Sequence, residues 1–220
     1  MKTKVILIRH GETDWNVECR FLGSADRKLT EKGRRQAGYA RAALENEKID
    51  IAYSSPLSRA FETGEIILAG RNMDLIPDPE LREITCGEWE GMNGHEVEEK
   101  FPGQIYLWGN KPEELIIDGG DSFRAVQDRM VKAFWRIVKE NEGKTILITA
   151  HMICISLLMM YFEGIRINKI WDVEPIGNGA VNVIEVEGDQ AKVTVWNDDS
   201  FVPEEEKKGS SLVAGRNYVD

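Results

Sequence analysis

Apolar residues run unbroken from Val5 to Ile8 behind Lys4, with no polar alternation. That pattern predicts a short strand over 4–8 buried on both faces, as in a parallel sheet. From Thr30 to about Glu45 the period changes: Ala37, Ala40, Ala43 and Leu44 share one side while Arg34, Arg35 and Arg41 lie elsewhere, so a helix is predicted there. A second strand follows at 49–53. Ser55-Pro56 reads as an N-cap with proline at the first helical position, opening a helix to about Ala69. Near Asp121 and Ser122 another cap opens a helix whose Phe123, Val126, Met130, Phe134 and Ile137 form one apolar stripe. A strand at 145–149 then leads into a helix at 153–162, and two late strands at 181–186 and 192–196 flank a turn at Glu187-Gly188-Asp189. Strands alternating with helices predict an α/β fold around an open, mostly parallel sheet with helices on both faces.

Between the second and third strands, about 88–120 carries Trp89, Met92, Phe101, Tyr106 and Trp108 among glycines and prolines. It is too short for a core of its own and is expected to be a helical cap excursion, its aromatics serving as packing. One domain is expected over 1–197, with a polar, mobile tail over 198–220.

The 220 residues include 28 Lys and Arg against 38 Asp and Glu, a formal charge of −10, with 42% hydrophobic and 30% charged residues. Collagen-like, disordered and coiled-coil chains are excluded by that composition. The negative field argues against nucleic acid and membrane surfaces as partners, and by the same sign discourages anionic substrates. Cys19, Cys86 and Cys154 are odd in number and lack a C-x-x-C pair, which points to buried thiols and not to a disulfide framework. The first apolar run is too short for a signal peptide, and Ile146–Phe162 is too short and too polar for a membrane span, so a cytoplasmic location is expected.

Unusual side chains fall at strand ends: Arg9-His10 after the first, Ser54-Ser55 with Arg59 after the second, His151 after the third. In open α/β sheets the ligand crevice lies at the carboxyl ends of the strands. Two guanidinium forks, two imidazoles and a helix N-terminus near Ser55 would together receive an oxyanion, and phosphate matches that donor set best. There is no G-x-x-x-x-G-K-[ST], no G-x-G-x-x-G and no aspartate cluster for Mg²⁺. A zinc site from His10, His151 and Cys154 lacks a close ligand pair.

Arg9-His10-Gly11-Glu12-Thr13 with Asn16 resembles the R-H-G-[EQ]-[ST]-x-x-N signature of the histidine phosphatase superfamily, which includes cofactor-dependent phosphoglycerate mutases and small-molecule phosphatases. The resemblance continues in order through Gly23, Asp26, Leu29-Thr30 and Gly33, then Ser54-Ser55-Pro56-Leu57 with Arg59, Ala60 and Thr63. Leu81-Arg82-Glu83, Gly87, Trp89-Glu90-Gly91, Gly119-Gly120-Asp121-Ser122 and His151 complete it, so that residues 4–186 are covered. It implies a phosphoglycerate mutase-like fold and His10 as the nucleophile that becomes a phosphohistidine. Arg9, Arg59 and His151 would hold the phosphoryl oxygens, with Asn16 as a neutral donor. Glu83 would be the acid for the leaving group and then the base for water, and Leu22 and Gly23 would line the substrate side. No metal and no cofactor is implied.

The chain departs from the family pattern in two places. Many relatives carry glycine after the third-strand histidine and arginine five residues beyond that histidine, where Met152 and Ser156 stand here. The mutases read E-R-H-Y-G at the acid loop, against Glu83-Ile84-Thr85-Cys86-Gly87, and residues 88–121 hold nine acidic residues against Lys100 and Lys111. A second anionic group would be poorly received there. The expected activity is therefore metal-independent hydrolysis of a small phosphorylated metabolite, a phosphomonoester, through phosphohistidine. A phosphoglycerate mutase and a non-catalytic phospho-ligand binding protein are the alternatives, and the oligomeric state is left open. The charge is also uneven: residues 1–41 hold ten Lys and Arg against five Asp and Glu, so the segment bearing His10 is basic.

Overall fold

The computed structural model describes residues 1–207. In chain order the elements are β1 (Lys2–Arg9), α1 (Asp14–Val17), α2 (Glu31–Ala43), β2 (Ile51–Ser54), α3 (Ser58–Leu68), β3 (Leu75–Pro77), α4 (Gly94–Lys100), α5 (Gln104–Asn110), α6 (Phe123–Glu140), β4 (Thr145–Ala150), α7 (Met152–Phe162), β5 (Val181–Glu187), β6 (Gln190–Asp198) and α8 (Glu204–Lys207). Single 3₁₀ turns lie at Pro79–Leu81, Gly87–Trp89 and Ile167–Lys169. One sheet runs β3-β2-β4-β1-β5-β6. β1 pairs in parallel with β4, and β2 in parallel with β4 and β3, while β5 runs antiparallel between β1 and β6.

The unbroken apolar run of β1 is explained by its place inside the sheet. Successive side chains alternate between faces, so Val5 and Leu7 join Ile146 and Ile148 against α6, α7 and the cap. Ile6 and Ile8 join Leu147 against Ala40 of α2, Leu44 at its C-cap, and Ile67 and Leu68 of α3. Helices thus cover both faces, as the alternation of strands and helices predicted. α7 is buried from Met152 to Met160 without a polar face, which accounts for the weakly polar stretch. No described helix is long and apolar enough to cross a membrane.

Local signals hold at several helix starts. Thr30 Oγ1 accepts the Gly33 N–H at 3.0 Å and Ser122 Oγ accepts that of Ala125 at 3.1 Å, so both side chains cap their helices. The predicted start at Ser55-Pro56 is corrected: α3 opens at Ser58, because Ser55 Oγ accepts from Leu57 N at 3.3 Å and pairs with His151 Nε2 at 2.8 Å. The cap comes from elsewhere in the chain, with both the N–H and the hydroxyl of Ser58 donating to Asp26 Oδ1 at 2.8 and 2.7 Å.

Two boundaries also move. β3 was not expected, being three residues ending in proline at the sheet edge. The tail expected from 198 is ordered further on: Val202 is buried, α8 follows, and Arg35 pairs with Glu206 at 2.8 Å. The rest of that tail, 208–220, lies outside the described residues. Cys86 and Cys154 are buried thiols as expected, whereas Cys19 is partly exposed at φ 54°. In the cap, Trp89 and Trp108 pack with Phe21, Phe123 and Trp171 at ring separations of 5.0 Å for Phe21–Trp89 to 5.8 Å for Trp89–Trp108.

Candidate active site

β1 and β4 end side by side, which places the residues that follow them together. The His10 N–H donates to Ala150 O at 3.0 Å, extending the β1–β4 pairing by one step. The imidazoles of His10 and His151 stand edge to face with ring centres 5.2 Å apart. His10 Nδ1 lies 2.7 Å from the Gly11 carbonyl. A carbonyl can only accept, so Nδ1 carries the proton and Nε2 keeps its lone pair. Gly11 is required here: a Cβ would fall 2.7 Å from the Gly33 carbonyl carbon, into backbone that cannot give.

Both arginines are buried and are tethered by backbone carbonyls. Arg9 Nη1 donates to Ile176 O at 2.6 Å; Arg59 Nη1 and Nη2 donate to Ala25 O at 2.7 Å and Gly23 O at 2.9 Å. Arg9 Nε, Arg59 Nε and His151 Nδ1 are buried with no partner in the protein. Each such atom carries an unmet desolvation cost of about 1–3 kcal/mol, so a ligand that supplied acceptors there would be bound tightly. His151 Nε2 is taken up by Ser55.

Glu83 approaches from the loop after the Pro79–Leu81 turn and meets the start of α7. Its Oε1 accepts from Ile84 N at 3.0 Å and Cys154 N at 3.2 Å, and its Oε2 from Ile153 N at 3.2 Å. The helix N-terminus that faces the site is therefore that of α7 and not the one expected near Ser55, whose first N–H groups go to Asp26 and Ser55 itself. Burial raises the Glu83 carboxyl above its ordinary 4.5, against the opposing pull of those N–H groups and of Arg59. Burial, reinforced by Arg59 and Arg9, holds His10 well below 6.5; burial, Arg59 and His10 do the same to His151. Arg9 is lowered by burial to about 10 and stays cationic at neutral pH.

Arg9, His10, Asn16, Leu22, Gly23, Arg59 and Glu83 border one cavity of about 50 Å³, room for roughly three or four water-sized groups. His151 stands edge to face against His10. Asn16 Oδ1 is committed to the N–H and hydroxyl of Thr13 at 3.0 and 3.1 Å, so the group it can offer the cavity is its amide nitrogen. Gly23 has φ 52°, and a Cβ there would come within 2.7 Å of Cys86 N.

Sequence reasoning missed Arg20, Phe21, Ile84, Trp108 and Ile153 on the same wall. The adjacency of Arg20 and Phe21 to Leu22-Gly23 was the one available signal. Trp108 comes from the cap, and nothing local marks it. Of the two departing residues after β4, Met152 borders the cavity, and Ser156 is buried and not among the residues that border it. Cys154 Sγ is turned to the His151 carbonyl at 3.3 Å, and among the described residues no three of His, Cys, Asp and Glu gather as metal ligands.

Comparison with known proteins identifies the family. Residues 5–199 match the family model described as "Histidine phosphatase superfamily (branch 1)". Phosphoserine phosphatase 1 of Hydrogenobacter thermophilus is 31% identical over 84% of this chain and 87% of its own length. Phosphoglycerate mutase-like protein 4 of Arabidopsis thaliana is 34% identical over 91% and 87%. The solved structure of Bacillus stearothermophilus YhfR is 36% identical, with a TM-score of 0.89 over 91% of this chain and 100% of that one.

Proposed function

The chain belongs to the histidine phosphatase superfamily, and we propose that it hydrolyses a small phosphomonoester with a net-uncharged leaving group, without a metal, through a phosphohistidine on His10. The observation that carries this is His10 itself. Its ring is fixed by Nδ1 on the Gly11 carbonyl, neutral by burial, and set among buried arginine and histidine nitrogens that lack acceptors.

In the first step the Nε2 lone pair attacks phosphorus in line with the ester bond. As the N–P bond forms the P–O bond breaks, and protonated Glu83 delivers its proton to the departing oxygen. A carboxyl kept protonated toward neutral pH is what that step needs, and the raised Glu83 pKa supports the role. Arg9 and Arg59 supply two positive charges for the phosphoryl oxygens, the part that Mg²⁺ plays in other phosphoryl transfers. The mechanism takes Ser55 as the donor to Nε2, which puts the His151 proton on Nδ1, an atom without a partner in the protein, as a further donor. In the second step Glu83 takes a proton from water as the water oxygen attacks phosphorus; the N–P bond breaks, the electron pair returns to His10 Nε2, and orthophosphate leaves.

The walls beyond the phosphoryl position bear on the leaving group. Phe21, Ile84, Met152 and Ile153 are apolar, and Trp108 adds an aromatic ring whose buried Nε1 has no partner in the protein. Arg20, the remaining cation there, already pairs with Glu18 at 2.7 Å and Glu96 at 2.8 Å and donates to Gly91 O. A carboxylate or second phosphate would meet a guanidinium already neutralised, which favours hydrolysis over the mutase reaction. Serine, the leaving group named for one relative, is a net-neutral zwitterion and fits this requirement.

The test is phosphate release from a panel of phosphomonoesters in EDTA, with a His10→Ala control. Release by the wild type and none by the control is expected. A need for added metal, or release by the control, would defeat the mechanism. Interconversion of phosphoglycerates without release would identify a mutase, and binding without either would identify a phospho-ligand binding protein.

A further inference from the structure

One buried amide spans the distance between the loop after His10 and the last described helix. Gln36, in the middle of α2, is 1% exposed. Its Oε1 accepts the Glu12 backbone N–H at 2.8 Å, and its Nε2 donates to the Glu206 carbonyl at 2.7 Å. Glu12 is otherwise tied to the first turn of the same helix. Its carbonyl accepts from Thr30 N at 2.9 Å, and its carboxylate takes Thr30 Oγ1 at 3.0 Å and Lys32 Nζ at 3.0 Å. The Glu206 end is secured in turn by the Arg35–Glu206 pair, by Lys207 with Asp199 at 3.0 Å, and by burial of Val202.

We propose that residues 199–207 form a strap that positions the nucleophile, with Gln36 as the positioning residue that transmits its hold to the His10–Thr13 loop. The Glu12 N–H is buried, and a buried donor that loses its acceptor draws the backbone into a new arrangement. His10 lies two residues away, and in-line attack tolerates little error in the approach of the reacting atoms. The phosphoryl-binding arginines hang from the carbonyls of Ile176, Gly23 and Ala25, none of which is a hydrogen-bond partner of the Gln36 side chain. Loss of the strap therefore affects turnover and spares binding.

The proposal uses the phosphatase reading for its rate measurement, so it is paired with a readout independent of activity, amide hydrogen exchange of residues 10–13. The full chain would be compared with Gln36→Met, which removes both bonds at similar volume, with Val202→Asp, which places a charge at a buried point of the strap and releases it, and with the double variant. Each single variant is expected to lose about five- to tenfold in kcat, the size of one buried hydrogen bond, with KM within about twofold. The double variant should lose no more than either alone, since both break one connection. Exchange at 10–13 should quicken in all three while the cooperative unfolding transition is retained. Multiplied losses in the double variant, or wild-type exchange at 10–13 in Val202→Asp, would overturn the strap. Should the wild type hydrolyse nothing, the phosphatase reading falls and the exchange data alone decide the inference.

Discussion

Glu83 has two possible uses in this fold, as a cap on α7 and as a proton donor, and the Glu83→Gln substitution separates them. The carboxylate accepts three backbone N–H groups, two at Oε1 and one at Oε2. A glutamine oxygen at the Oε1 position keeps Ile84 and Cys154, and turns its NH₂ toward the Ile153 N–H. One buried donor then faces another, a stability loss of about 1–3 kcal/mol. Loss of the proton donor is a separate effect and depends on the leaving group. For an alkyl phosphate such as phosphoserine, general-acid catalysis is worth about 10²–10⁴-fold. p-Nitrophenolate leaves without help, so its loss should stay within about tenfold. The quantity to compare is kcat/KM, which reports on the steps up to formation of the phosphoenzyme. kcat on p-nitrophenyl phosphate will fall further, because the same residue activates water, and a burst of p-nitrophenolate should precede the slow steady state. In the wild type, kcat/KM on the alkyl substrate should decline as pH rises through the elevated Glu83 pKa, and the variant should lack that limb. Equal losses on both substrates, with no burst, would leave Glu83 only its capping role.

Other consequences are open to measurement. His10 and His151 are both held below 6.5 in the fold, so the unfolded chain takes up protons first and stability falls as pH drops through 6.5. Between pH 6.5 and 5.5 each costs about 1 kcal/mol. Glu83 is shifted upward and acts with the opposite sign, its contribution being present at low pH and lost as pH rises through its folded value. Urea unfolding in phosphate-free buffer should show the loss, and His10→Ala should reduce it by about 1 kcal/mol; an unchanged pH dependence would refute the assignment. Gly11→Ala forces a Cβ into the Gly33 backbone, and should either prevent folding or lower kcat/KM by more than tenfold; wild-type stability and activity would contradict the close approach. Phenyl phosphate should be hydrolysed with at least about tenfold higher kcat/KM than 3-phosphoglycerate, because Arg20 is already paired. The opposite ranking would mean that Arg20 is released to bind carboxylate.

The strands that carry the site were legible because they are local patterns. The unbroken run at 4–8 and the stripe from Phe123 to Ile137 give the β1 and α6 placements directly, and the Ser122 cap acts within four residues of itself. What was not legible depends on partners far along the chain. Asp26 caps α3, so Ser55 is left for His151; β3 is a strand only because β2 lies beside it. Trp108 reaches the cavity wall through a cluster drawn from four other segments, and the Gln36 link joins residues 170 apart. Arg9, His10, Arg59 and His151 were pointed to by strand ends, which converge in any open α/β sheet, whereas Glu83, Asn16, Leu22 and Gly23 came only from the family resemblance.

The mechanism turns on a covalent bond between phosphorus and His10 Nε2. Acid destroys a phosphohistidine and base preserves it, so turnover on phosphoserine or p-nitrophenyl phosphate should be quenched in alkali within the first turnover and the digested protein weighed peptide by peptide. A phosphoryl adduct is expected on the peptide containing His10, lost on mild acid treatment, absent from His10→Ala, and, with p-nitrophenyl phosphate as substrate, more abundant in Glu83→Gln. Phosphate release with no adduct at His10 in any of these proteins would contradict it.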